Sequence, residues 1–267
     1  MELIIKNIPQ EYLALKINYC RMMLRTLPEY KIQVHNVKGV PIRKIVSGDE
    51  RHVLDSKTGM KLYEEMKRRE FYTGQLNILE AIWESEYKIE PLKECVPRKI
   101  CRTMYADTFS RLTLNRAYFD SLENDDNNDK GRSLSYPFNG IYYRSAGERD
   151  IAVCYTELGI PFKYEPSVML KGLNRPVHPD FVIYIEELDN CKFHEHFGVK
   201  QSSQYLRETS FKYNNYTNAG LVPETDIIFT HDTDEIPFDI RALTAKLNTA
   251  VYTTILSGRE AVENDRG

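Results

Sequence analysis

The segment Phe181-Val182-Ile183-Tyr184-Ile185 constrains the fold more than any other part of the chain. Five consecutive apolar residues rich in β-branched and aromatic types are too few for a buried helix, and they read as part of a strand in a sheet with helices on its faces. The flanking sequence supplies helix and strand patterns in turn. Ser145 to Leu158 predicts a helix with Ile151, Tyr155 and Leu158 on one stripe, and Gly159 follows where a helix end needs a residue free to take positive φ. Strand patterns come next at Phe162–Glu165, Val177–Ile185 and Lys192–Phe197. Tyr205–Thr217 is again helical, Asp226–Thr230 is a short apolar strand, and Ile240–Ile255 predicts a terminal helix. The order helix, three strands, helix, strand, helix describes a compact α/β sheet with helices on its faces.

The preceding half has a different texture. Leu13, Ile17, Cys20 and Leu24 recur at helical spacing and predict a helix from Pro9 to Leu27, which Pro28 ends. Tyr30–Val37 and Val40–Val46 alternate in part around Lys38-Gly39, so a small antiparallel hairpin is expected, extended by His52–Leu54. From Lys57 to Leu122 the pattern is helical, with breaks at Pro91 and Pro97. Between the halves lies Glu123-Asn-Asp-Asp-Asn-Asn-Asp-Lys-Gly131, a run too polar to bury and read as a solvated loop or linker. The expected organisation is an N-terminal helical and β-hairpin region over 1–122, an acidic linker or loop over 123–136, an α/β domain over 137–257 and a tail over 258–267.

Composition narrows the function classes. With 267 residues, 42% apolar and 28% charged, the chain has the makings of an ordinary core, and collagen-like or wholly disordered classes are excluded. No apolar run is long enough to span a membrane, and Met1-Glu2-Leu3-Ile4-Ile5-Lys6 turns polar too soon for a signal peptide; a soluble cytoplasmic protein is expected. Cys20, Cys95, Cys101, Cys154 and Cys191 form no C-x-x-C pair, which argues against a disulfide framework or structural zinc. A net charge of −3 gives no bulk attraction to nucleic acid. The basic run Lys67-Arg68-Arg69 and the scatter Arg98, Lys99 and Arg102 read as solvated faces, with phosphate contact the alternative.

Chemistry concentrates between Glu148 and Lys212. Asp180 opens the apolar run, and Glu195 lies inside the next strand pattern among aromatic residues, where an unpaired carboxylate is costly. Two such carboxylates on adjacent strands repel unless a cation lies between them, and oxygen-only donors favour Mg²⁺. Each residue has a plainer reading as well. Ser145-Ala-Gly-Glu148 is also a capping box, Asp180 a turn former, and Glu195 a partner for Arg144, Lys192 or a neighbouring histidine. His194 and His196 flank Glu195 and point away from its face of the strand, so they are assigned packing roles.

Pro179-Asp180, a hairpin and then Glu195 resemble the PD-(D/E)XK nuclease superfamily. Arg144-Ser145-x-x-Glu148, Leu158-Gly159-Ile160-Pro161, Tyr164-Glu165-Pro166, Pro179-Asp180-Phe181 and Glu195-His196-Phe197-Gly198 are similar to one bacterial branch of it, over about residues 140–257. The resemblance implies a restriction-endonuclease-like core, a central mixed sheet flanked by helices. It implies that Asp180 and Glu195 hold Mg²⁺ (or Mn²⁺), with the backbone carbonyl of His196 as a third ligand and Glu148 as the acid from the first helix. The motif lysine, however, is replaced by Phe197. Some members supply the amine from the following helix, where Tyr205, Glu208 and Lys212 share a face; Lys212 is the candidate, and Lys200 the second. Gln201 and Tyr205 have a Q-x-x-x-Y spacing seen in related nucleases and are weak substrate-binding candidates.

The resulting expectation is a Mg²⁺-dependent nuclease hydrolysing phosphodiester bonds, with DNA as the favoured partner. A homodimer would suit double-strand cutting, and the N-terminal half could grip substrate or dock a partner protein. The alternative is a catalytically inactive nuclease-fold module that binds nucleic acid or a protein partner in a defence or mobile-element system.

Overall fold

The computed structural model describes residues 10–37, 39–87, 100–124, 135–198, 203–233 and 235–264, with backbone only at 11, 203–206 and 258–264. They fall into two compact units, one within Gln10–Pro97 and the other within Arg98–Gly267.

In the smaller unit, helix α1 (Gln10–Thr26) packs on the long helix α2 (Lys57–Glu86), each contributing one apolar stripe. Leu13, Ile17 and Cys20 are buried from α1, and Met66, Tyr72, Leu79 and Trp83 from α2. Ser56 caps α2 by accepting the Gly59 amide at 3.0 Å, which satisfies a backbone donor left over at a helix start. Strands β1 (Lys31–Val37), β2 (Val40–Ser47) and β3 (Glu50–Val53) form an antiparallel sheet in that order, as the hairpin pattern predicts. Gly39 makes the first turn with φ +82°, a conformation that favours glycine.

The larger unit is mixed α/β. Its main sheet has the order β11 (Ile227–Asp232), β10 (Asn190–Gly198), β9 (Phe181–Ile185), β8 (Phe162–Tyr164). β8–β9–β10 are antiparallel, whereas β10 and β11 run parallel with helix α5 (Ser203–Asn218) between them in sequence. Helix α4 (Ala146–Glu157) precedes the sheet, and α6 (Ile240–Asn264) follows it. Gly159 lies just past α4 with φ +65°.

Residues 100–122 depart from the expected helical pattern. They form a hairpin of β4 (Thr103–Tyr105) and β5 (Arg111–Thr113) and a short helix α3 (Arg116–Ser121). A further two-stranded ribbon pairs β6 (Pro137–Phe138) with β7 (Ile141–Tyr142). Met104, Leu114, Phe119 and Leu122 share one core with Val182, Tyr184, Cys191 and Phe193 of the main sheet. Arg102, read from sequence as a solvated cation, makes a two-pronged ion pair with buried Asp226 at 2.8 and 2.5 Å. The larger unit therefore begins well before the acidic stretch, because the odd-numbered face of β10 needs these residues as cover. Most of the acidic stretch lies outside the described residues, but Asn124 accepts the Tyr164 amide at 2.7 Å and so binds to the end of β8.

The even-numbered face of β10 holds buried Lys192, His194 and His196. Lys192 donates to Asn190 Oδ1, the Thr225 carbonyl and Thr254 Oγ1 of α6 at 3.2, 2.7 and 2.6 Å, so all three ammonium hydrogens find acceptors. His194 bridges the Tyr155 hydroxyl and Thr230 Oγ1, each at 2.7 Å. The histidines thus do the packing work expected of them. Cys20, Cys154 and Cys191 are buried and unbridged, and Cys95 lies outside the described residues. No helix among the described residues is long and apolar enough to cross a membrane.

Candidate active site

The register of the central strands brings the predicted acids together. His194 pairs with Phe181 across β10 and β9, so Asp180, just before β9, stands opposite Glu195. Asp180 Oδ2 accepts the backbone N–H of His196 at 2.6 Å, which ties the start of β9 to β10. Among the described residues its other oxygen has no hydrogen-bond donor, and the side chain is only half-buried.

Glu195 is fully buried. Lys212, from α5, donates to its Oε2 at 2.5 Å, and the Tyr216 hydroxyl donates to its Oε1. Lys212 and Tyr216 are one helical turn apart, so a single face of α5 serves both carboxylate oxygens. Neither Arg144, Lys192 nor a histidine pairs with Glu195: Arg144 takes Glu165 at 2.6 Å, and Lys192 lies on the opposite face of β10. Phe197 stacks on Phe229 with ring centroids 5.8 Å apart and planes 14° from parallel. The ammonium group at Glu195 comes from helix α5.

Glu148 lies in the first turn of α4. Ser145 caps that helix through the Glu148 amide at 3.1 Å and also donates to Glu148 Oε1 at 3.2 Å. Oε2 accepts the Arg144 amide at 3.1 Å and the Tyr164 hydroxyl at 2.6 Å. The capping reading of Ser145–Glu148 is thus correct, and it coexists with a position close enough to Asp180 for their charges to interact. Burial pushes the Glu148 carboxyl up to about 7, and the Asp180 charge adds to the rise. Burial likewise pushes Glu195 up to about 8, against the opposing attraction of Lys212 and with a further push from Asp180. For Lys212, burial works toward the neutral amine, but the charges of Glu195 and Asp180 outweigh it and hold the pKa above that of a free lysine.

Sequence reasoning did not single out Tyr216, Tyr164 or Glu165 as site residues. Tyr216 follows Lys212 by one turn, a spacing visible in the sequence. Glu165 is buried, has φ +42° and adds to the charge around both Glu148 and Lys212. The left-handed backbone at a non-glycine residue has no local signature. Lys200 and Gln201 lie outside the described residues, as does the side chain of Tyr205; Glu208 is exposed on α5.

Among the described residues no three His, Cys, Asp or Glu side chains stand together at ligand spacing for an ion. The neighbouring acids offer carboxylate oxygens, the donor type a hard cation takes, and the Asp180 charge repels both glutamates; among the described residues only Asp180 of these three keeps an oxygen without a protein donor. Comparisons of the chain with protein-family models, curated proteins and solved structures find no match.

Proposed function

We propose that the chain is a Mg²⁺-dependent nuclease that hydrolyses phosphodiester bonds, with DNA the favoured substrate, and that its larger unit is a restriction-endonuclease-like core of the PD-(D/E)XK type. One observation carries this reading: Asp180 and Glu195 face each other across adjacent strands, and the amine missing from position 197 is supplied to Glu195 by Lys212. Asp180, Glu195 and Glu148 are the residues that would hold the ion. When bound, Mg²⁺ supplies a water of lowered pKa and offsets charge on the scissile phosphate. Lys212 opposes the burial that favours a protonated Glu195 and so eases its ionisation, and it offers its remaining hydrogens to an attacking water or a phosphate oxygen. Tyr216 fixes the second oxygen of Glu195. Tyr164 and Ser145 orient Glu148, and the His196 amide orients Asp180.

The test is cleavage of labelled duplex, single-stranded DNA and RNA with Mg²⁺ or Mn²⁺, alongside Asp180→Asn and Glu195→Gln variants. The reading predicts a metal-dependent activity that falls at least about a hundredfold in each variant. Intact substrates throughout, or equal cleavage by the variants, would overturn it.

A second reading is favoured by the hydrogen bonds at Glu148 and Glu195, whose oxygens are already served by protein donors. In that case the unit is an inactive nuclease-fold module that binds nucleic acid or a protein partner. Nucleic-acid binding unaffected by Asp180→Asn, without turnover under any metal, would favour it.

A further inference from the structure

The smaller unit carries a cationic surface that the predicted basic runs do not account for. Residues directly opposite in an antiparallel pair project to the same face. The register Lys31↔Val46, Gln33↔Lys44, His35↔Ile42, Val37↔Val40 continues into Lys44↔Val53 and Val46↔Arg51. One face of the sheet therefore presents Lys31, Gln33, His35, Lys44 and Arg51 among valines and Ile42. None of the ten residues on this face is buried, and none is Asp or Glu. The opposite face contains Ile45, which is fully buried, and the unit's acid–histidine pair, Glu50 with His52 at 3.8 Å.

The cations gather at one end. Lys31, Val46 and Arg51 form one row across the three strands, and Gln33, Lys44 and Val53 form the next. At the usual strand spacing, Lys31 and Arg51 are rooted roughly 10 Å apart with Lys44 offset between them. Among the described residues, Lys31, Lys44 and Arg51 have no carboxylate partner and no side-chain hydrogen bond. Other cations of the same unit are engaged. Arg69 binds the Leu24 and Leu27 carbonyls and Glu29, Arg21 binds Glu80, and Lys67 pairs with Glu70. The Lys67-Arg68-Arg69 run is thus partly structural.

We propose that this face of the β1–β2–β3 sheet binds the phosphate backbone of nucleic acid. Three unpaired cations with no acid among them, on a chain of net charge −3, form a local field of the sign that attracts a phosphate backbone. The aliphatic residues between them have no base-reading polarity, so the binding is to backbone and independent of sequence. This inference rests on the smaller unit alone and does not depend on cleavage by the larger one.

The test uses the full chain in EDTA, with binding to a labelled random-sequence duplex measured across a series of KCl concentrations. The triple variant Lys31→Gln/Lys44→Gln/Arg51→Gln is expected to lose roughly tenfold or more in affinity at low salt. Its log affinity against log salt should flatten by about 2 to 3, near 0.9 for each phosphate no longer neutralised. Arg43→Gln, on the opposite face, should change neither. Should the triple variant misfold, Lys31→Gln and Arg51→Gln alone are each expected to flatten the slope by about 1. Unchanged affinity and slope, no binding by the parent chain, or a self-association that the variant abolishes while nucleic-acid binding persists would each overturn the proposal. Because EDTA prevents turnover, a slope change without metal-dependent cleavage sustains this inference and sinks the nuclease reading, whereas cleavage with an unchanged slope does the reverse.

Discussion

Lys212 Nζ stands 2.5 Å from Glu195 Oε2, joining a helix to the strand before it through a fully buried carboxylate. The amine has two consequences, one for turnover and one for stability. On the nuclease reading, Lys212→Ala lowers the single-turnover cleavage rate by about 10² or more, while Lys212→Arg retains part of it. Single-turnover assays at saturating protein separate this from weakened binding.

The same pair sets a pH-dependent stability. Glu195 titrates near 8 in the folded chain and near its ordinary value of 4.5 when unfolded, so the folded state holds the extra proton between those limits. Its contribution is therefore fully present below about 4.5 and is lost as pH rises through 8, a span on the order of a few kcal/mol. Glu195→Gln removes that slope, so the variant should gain Tm relative to the parent on going from pH 5 to pH 8.5. Thermal melts at both values, without divalent ions, check it.

His194 acts in the opposite sense at acid pH. Burial holds it near 3, far below an exposed histidine, and the Coulombic push of His196 adds to this. The stability it contributes is complete above the unfolded value near 6.5 and is lost as pH falls through 3. Tyr155→Phe leaves His194 Nδ1 without its 2.7 Å partner and should lower stability by about 1–3 kcal/mol in denaturant titrations at pH 7.

Gly147 has a packing reason to be glycine. A Cβ there would come within 2.5 Å of His196 Nε2, and the ring is pinned by a 2.9 Å bond to Thr230 and an edge contact with Phe238. Gly147→Ala should therefore destabilise by about 1–3 kcal/mol, although alanine is the better helix former by about 1 kcal/mol. A higher Tm in the variant would refute the close approach.

Metal binding has its own readout. On the nuclease reading, Mg²⁺ or Mn²⁺ at about a hundred times Kd should stabilise the parent by about 2.7 kcal/mol and leave Asp180→Asn unmoved.

Much of the larger unit was legible because its signals are local. The Phe181–Ile185 run, the 3.6-residue stripe of α4 and its capping box each declare an element without reference to the rest of the chain. Strand parity also separates Lys192 from Glu195, since an even and an odd position on one strand face opposite ways. The hairpin at Thr103–Thr113 was not legible: its strands have three residues each, and only the uncovered face of β10 explains them. In the site, the pairing of Asp180 with Glu195 could be read from type and spacing, whereas Lys212 is reached through the family resemblance. The involvement of Glu165 and Tyr164 depends on a chain reversal that places β8 beside β9, and no local pattern encodes it.

Lys192 gives the terminal helix a fixed address. Its ammonium spans from the sheet to Thr254, and a slide of α6 by four residues either way would present Ala250 or Gly258, neither of which has a side-chain acceptor. A greasy interface would tolerate such slippage with modest repacking. Here a slide by one turn deprives a fully buried amine of one of its three acceptors, so polar pairing favours a single register of the helix on the sheet.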